Sequence, residues 1–140
     1  MGIRKAEISD TEKIGDLLRQ LGYDDTESFL TNKLEKMLMH PDEEVLVYEE
    51  EGEVVAFLSL HFIPQIALQG DFARISYFSV DEEKRSKGIG KLMEEYVVEL
   101  SGKRNCDRIE LHSHSKREEA HKFYYRQGYT ESPKYLIKKL

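Results

Sequence analysis

Residues 73–80 form a β-rich run, a helix-periodic stretch starts at Ile89, and between them lies the basic, glycine-containing segment Arg85-Ser86-Lys87-Gly88-Ile89-Gly90. A strand that must pass into a helix through such a turn restricts the fold more than any other feature of the chain. The stretch that follows places Ile89, Leu92, Met93, Tyr96, Val97 and Leu100 at helical spacing, which commits one face to a core. The first turn of that helix cannot satisfy its own backbone N–H groups. A helix N-terminus carries about half a positive charge and points those donors outward, which suits phosphate. Glycines at 88 and 90 admit a ligand to the backbone, and Arg85, Lys87 and Lys91 add charge. On spacing alone, an anion site and a plain strand-to-helix turn stand level. The pattern is neither Gly-x-x-x-x-Gly-Lys-Ser/Thr nor Gly-x-Gly-x-x-Gly.

The rest of the chain reads as alternating elements. Residues 3–8 form a first strand, and Ser9-Asp10-Thr11-Glu12 has the form of a capping box. Ile14, Leu17, Leu18 and Leu21 define a helix ended by Gly22, and residues 26–39 a second helix closed by Pro41. Strands over 45–48 and 54–63 flank Glu50-Glu51-Gly52-Glu53, a hairpin turn, and a loop over 64–70 precedes the strand at 73–80. After the helix at 89–100 come a strand over 108–113, a helix over 118–126 ended by Gly128, and a last strand over 135–139. The order β-α-α-β-β-β-α-β-α-β describes an α/β fold with a mixed central sheet, parallel around the crossover at residue 90, flanked by about four helices. Residues 1–140 read as a single domain without repeat or linker.

Composition excludes several classes. The net charge of −6 argues against a general nucleic-acid binder, which needs a basic face. One cysteine, Cys106, permits neither an intrachain disulfide nor a Cys-based zinc site, and reads as a small buried residue. No apolar run has membrane-spanning length, so the expectation is a soluble, cytoplasmic protein with no membrane partner. His61, His112, His114 and His121 lack the spacing of a zinc motif, and no metal is expected.

Two segments together resemble the GNAT family of N-acetyltransferases. Val80-Asp81-Glu82-Glu83-Lys84-Arg85-Ser86-Lys87-Gly88-Ile89-Gly90-Lys91-Leu92-Met93 is similar to the family's Arg/Gln-x-x-Gly-x-Gly/Ala motif after a strand ending in valine. Ala120-His121-Lys122-Phe123-Tyr124-Tyr125-Arg126-Gln127-Gly128-Tyr129 is similar to its Ala-x-x-Phe-Tyr-x-x-x-Gly-Phe/Tyr segment. The resemblance covers essentially the whole chain in element order. It implies acetyl-CoA as cofactor, with its pyrophosphate on the main chain of Arg85, Ser86, Lys87, Gly88, Ile89 and Gly90, and with Lys91 adjacent. It also implies that the strand through Phe78, Ser79 and Val80 pairs with the pantetheine arm. Arg117 stands where many relatives carry an asparagine that contacts the cofactor. The resemblance allows a homodimer, which no residue of the sequence marks.

Acyl transfer from a thioester to an amine needs a neutral amine, a stabilised oxyanion and a proton for the leaving thiolate. Tyr124, four residues before Gly128, occupies the place of the family's general acid and also contacts the cofactor by analogy. Tyr125 points about 100° away on a helix, so only one of the two can face the sulfur; both can also be core aromatics. The backbone N–H of Val80 or its neighbour can meet the thioester carbonyl. Many relatives carry a glutamate four residues before the valine, where this chain has Ser76. Candidate bases are Glu110, His112 and His114, which alternate onto one strand face, with His61 and Asp71 as further options. Either strand-end histidine can equally be a solvated side chain, and an amine of low pKa needs no base.

For the acceptor, Gly52-Glu53-Val54-Val55, Leu60-His61, Lys116-Arg117 and the ending Lys138-Lys139-Leu140 resemble the aminoalkylphosphonate type of small-molecule acetyltransferase. The cleft is expected between the first two helices and the loop at 64–70, with Tyr23, Phe29, Phe62, Gln65 and Ser76 as lining. The leading expectation is acetyl transfer to the primary amine of a small molecule, an amino acid, an amino-phosphonate or a polyamine-like amine. The alternatives are transfer to a protein N-terminus or lysine, and acyl-CoA binding without turnover.

Overall fold

The computed structural model describes residues 2–113, 117–132 and 135–140. It resolves into two compact units, Met1–Glu110 and Leu111–Leu140. Five strands lie side by side in chain order: β1 (Gly2–Lys5), β2 (Glu43–Glu50), β3 (Glu53–Ile63), β4 (Phe72–Val80) and β5 (Arg108–Leu111). The first three junctions are antiparallel. The helices are α1 (Thr11–Gln20), α2 (Leu30–Met39), α3 (Ile89–Lys103) and, in the second unit, α4 (Glu118–Arg126).

The predicted hairpin forms where Glu50 pairs with Glu53. Both turn residues, Glu51 (φ 53°) and Gly52 (φ 78°), are left-handed, as a two-residue turn matching strand twist requires. β3 runs through the middle, and its residues from Val54 to Leu60 are buried without alternation, so both faces of the strand are covered. On one face Val45, Val47 and Phe57 join Ile14, Leu17 and Leu18 of α1 and Leu34 of α2 in one apolar cluster. Leu46 and Leu58 point the other way and are fully buried, as are Met93 and Val97 of α3, the helix that meets β3 and β4. The sheet is thus sandwiched, with β4 leading directly to α3.

Several expectations change. β1 ends at Lys5 and residues 8–10 form a 3-10 turn. Asp10 precedes α1 but makes no side-chain cap bond to it: its carboxylate closes the preceding turn, accepting the Glu7 N–H at 2.7 Å, and takes two Arg4 hydrogen bonds at 2.8 and 3.0 Å, while Arg4 also reaches Glu49. α2 begins at Leu30 rather than Thr26, because Thr26 is drawn in against Gly15 of α1 and Phe29 (φ −131°) departs from helical geometry. In α3 the buried stripe is Ile89, Met93, Val97 and Ser101, four residues apart, which leaves Leu92 half exposed. β5 stops at Leu111. The strand expected over 135–139 is not formed in residues 135–139: Tyr135, Leu136 and Ile137 stay exposed, and a strand without a ladder partner is not a strand.

Helices α1 and α3 end alike. Gly22 (φ 102°) and Asn105 (φ 57°) turn left-handed, and the next N–H reaches back to Leu18 and Ser101 respectively, closing off the last helical carbonyls. The chain after α3 then presses on the start of β4: a Cβ on Gly70 would lie 2.6 Å from the Asn105 carbonyl oxygen and 2.7 Å from the Asp107 nitrogen. Both are backbone atoms that cannot swing aside. Gly70→Ala is expected to destabilise the protein by about 1–3 kcal/mol, read as a lowered urea midpoint.

Asp10 makes stability pH-dependent. The Arg4 hydrogen bonds, chiefly, hold its carboxyl below the usual carboxylate range, against the opposing effect of burial. Its contribution is therefore complete above the unfolded value of about 3.9 and is lost as pH falls through the lower folded value. Asp10→Asn should cost about 2 kcal/mol at neutral pH. The variant's unfolding midpoint should converge on that of the parent as pH falls through the lowered folded value of Asp10.

Candidate functional site

β4 ends at Val80 and the chain is immediately pinned. The Asp81 N–H donates to the Val55 carbonyl at 2.8 Å, the Glu82 N–H to Gln20 Oε1 of α1 at 3.0 Å, and Asp81 Oδ1 accepts from the Glu83 N–H at 3.0 Å. Lys84 pairs with Glu50 of the hairpin at 3.3 Å. These anchors hold the loop to α1, β2 and β3. Beyond them, residues 85–88 are exposed, and Ser86 (φ 68°) and Gly88 (φ 84°) are both left-handed.

Gly88 is the N-cap of α3, and no side chain caps it. The first intrahelical bond runs from the Leu92 N–H to the Gly88 carbonyl at 3.1 Å. The N–H groups of Gly88, Ile89, Gly90 and Lys91 therefore have no acceptor within the helix. A Cβ built on Gly88 meets nothing within 4 Å, so the space beside this backbone is open. Lys87 and Lys91 are exposed beside it. Arg85 is exposed as well, and its Nε donates back to the Val80 carbonyl at 3.0 Å. The arrangement can hold a doubly charged anion on main-chain donors with lysines at its rim.

Further back along β4 the pairing with β3 slips: Ser59 faces Tyr77 and Leu60 faces Ile75, which leaves Ser76 as an extra, exposed residue in a β-bulge. Ser79 is buried and its hydroxyl donates to the Leu17 carbonyl of α1 at 3.1 Å, so only its backbone is open to a ligand. Tyr77, two residues earlier, shares that face and meets the Tyr23 ring edge to face at 5.3 Å. Phe29 is half exposed nearby in sequence, at the start of α2. Phe62 is 3% exposed, with the Arg104 guanidinium 4.0 Å over its ring; it serves the core rather than a cleft.

The base candidates are dispersed. Glu110 accepts from Arg74 Nε at 2.7 Å and also from Nη2. His61 bonds Glu43 across β2 and β3. The Asp71 carbonyl accepts the Asp107 N–H at 2.8 Å. His112 lies past the end of β5, exposed, with its ring 4.3 Å from that of Tyr135. His112 thus lies beyond the strand that was expected to carry it with Glu110, and His114 is outside the described residues. Cys106 is half-buried, and burial pushes its thiol pKa up. Among the described residues no three His, Cys, Asp or Glu side chains converge as metal ligands, and no helix is long and apolar enough to cross a membrane.

Within the second unit, α4 resolves the tyrosine pair. Tyr124 is 8% exposed and Tyr125 51%, as a 100° rotation demands. Gly128 (φ 94°) lets the Tyr129 N–H return to the Tyr124 carbonyl at 3.0 Å, and the two rings meet at 5.5 Å. The spacing from Tyr124 to Gly128-Tyr129 is thus a helix C-cap that seats one aromatic on the other. Arg117 is exposed at the N-cap of α4.

The anchors Gln20, Asp81 and Lys84, the bulge and the Tyr23–Tyr77 pair were not foreseen as site features. Only Asp81-Glu82-Glu83, with an Asp that bonds the backbone two residues on, left a readable trace.

Residues 11–129 match the acetyltransferase (GNAT) family. Among solved structures, a GNAT family acetyltransferase of Staphylococcus aureus is 28% identical over the full length of both chains, with a TM-score of 0.82. The glucosamine-6-phosphate N-acetyltransferase of Arabidopsis thaliana is 27% identical, with 98% of this chain and 96% of that one covered and a TM-score of 0.84. A transcriptional regulator of Bacillus halodurans C-125 shares the fold at a TM-score of 0.90 and 22% identity, over 99% of this chain and 98% of that one.

The open backbone at Gly88 sets the first functional test. Any side chain there must adopt a left-handed φ, at about 1–2 kcal/mol, and fills the space beside the free donors. Gly88→Val is expected to weaken CoA binding by about tenfold or more in a calorimetric titration.

Proposed function

The chain belongs to the GNAT acetyltransferase family and is an acyltransferase; from that premise we propose that it moves an acetyl group from acetyl-CoA to the primary amine of a small molecule by direct attack. The observation that carries the cofactor half is the uncapped, glycine-opened start of α3 at the end of β4. Main-chain donors from Ser86 to Lys91 bind the pyrophosphate, with Lys87 and Lys91 lowering its charge. The backbone of Phe78, Ser79 and Val80 orients the pantetheine arm, and Arg117 adds a contact from α4. When bound, the cofactor supplies an activated acyl group with a fair leaving thiol.

The protein's own contribution to the chemistry is placement, a donor and a proton. A main-chain N–H at the end of β4 meets the thioester carbonyl. Tyr124 gives the proton of its phenol to the departing sulfur. Glu110, with its oxygen already accepting from Arg74, is the weaker of the base candidates. His112 or solvent takes the amine's proton.

The small-molecule reading is supported by the exposed ring contact of Tyr23 with Tyr77, next in β4 to the bulged Ser76. The experiment is thiol release from acetyl-CoA with a panel of amines and peptides, followed by mass analysis of the product. Acetylation of small amines supports the proposal, preference for peptides favours a protein acceptor, and CoA binding without any release favours a binding module. Tyr124→Phe is expected to lower turnover about a hundredfold, the low end for an acid–base residue. Unaltered turnover would remove Tyr124 from the mechanism.

A further inference from the structure

Tyr23 and Tyr77 come from distant parts of the chain and meet at an interplanar angle of 84°, with 50% and 39% of their surfaces exposed. Two aromatic rings at a right angle form two walls of a corner, and ring faces attract cations. Tyr77 belongs to β4, three residues before Val80, which puts it about 10 Å along the strand from the loop that receives the cofactor phosphates. The bulge at Ser76 sits beside it.

The sequence that follows Tyr23 is acidic. Tyr23 is followed by Asp24, Asp25 and Glu27, and no basic residue occurs between Arg19 and Lys33. Arg19 is already held by Asp16 and reaches Glu27 at 3.6 Å. Among the described residues Asp24 and Asp25 form no ion pair. Arg74, the basic residue of β4, is held by Glu110. An anionic acceptor such as an amino-phosphonate would approach uncompensated carboxylates, whereas a cationic one gains both ring faces and carboxylates.

We infer that the acceptor is a small diamine, whose second ammonium group is held at the corner of Tyr23 and Tyr77 beside the acidic loop from Asp24 to Glu27 while its first amine is acetylated. This rests on the acetyltransferase reading above and specifies its substrate class.

The test compares a four-carbon diamine with the amino alcohol and the amino acid of the same chain length, and with a lysine peptide. The diamine should lead in kcat/KM by about tenfold over the neutral amino alcohol, with the lead shrinking at high salt. Tyr23→Leu and Tyr77→Leu should each raise KM for the diamine by about fivefold to tenfold, with kcat nearly unchanged, while Tyr23→Phe keeps most of the affinity. A preference for the amino acid or the peptide, or equal losses for all amines in the leucine variants, would overturn the inference and leave acetyl transfer standing. If no amine is acetylated and the diamine does not bind the CoA-loaded protein in a titration, both the inference and the enzymatic reading fail.

Discussion

A helix begins with donors that it cannot satisfy, and here the first donors of α3 emerge at the end of the strand that carries the rest of the site. Everything nearby keeps that junction fixed and open. Val55, Gln20 and Glu50 bind the chain just after β4, from three different elements, so the loop is held without using the N–H groups that follow. Gly88 then starts α3 from a left-handed turn with no capping side chain. A serine or aspartate side chain in the capping position would have taken one of these donors for itself.

β4 connects this junction to the acceptor end. Its partner β3 is buried on both faces and fixes the register, while the bulge at Ser76 changes which residues face α1. Ser79 and Tyr77 fall on that side, one bonded to α1 and the other stacked on Tyr23 just beyond the α1 C-terminus. The glutamate common in relatives at this point is replaced by a small bulged residue.

Much of this was legible because it is local. The Glu51-Gly52 turn, the Gly22 and Gly128 helix ends and the Gly88 junction each need a backbone that few residues adopt, and the sequence marks them. Tyr124 and Tyr125 could be separated by helix rotation alone. What escaped depends on partners distant in the chain. The bulge at Ser76 exists only in register with Ser59 and Leu60. The Arg4–Asp10–Glu49 network displaced an ordinary capping box at Ser9, and Arg74 claimed a carboxylate that strand alternation had offered as a base. Phe62 was read as cleft lining by its aromatic character, yet β3 is central and Arg104 covers its ring.

Amide hydrogen exchange with and without CoA tests the central claim most directly. Slowed exchange should appear at the N–H groups of residues 86–91 with CoA, and should be absent with pantetheine, which lacks the pyrophosphate. Equal protection by both ligands, or protection by CoA elsewhere with residues 86–91 unchanged, would contradict the assignment of this junction as the phosphate site.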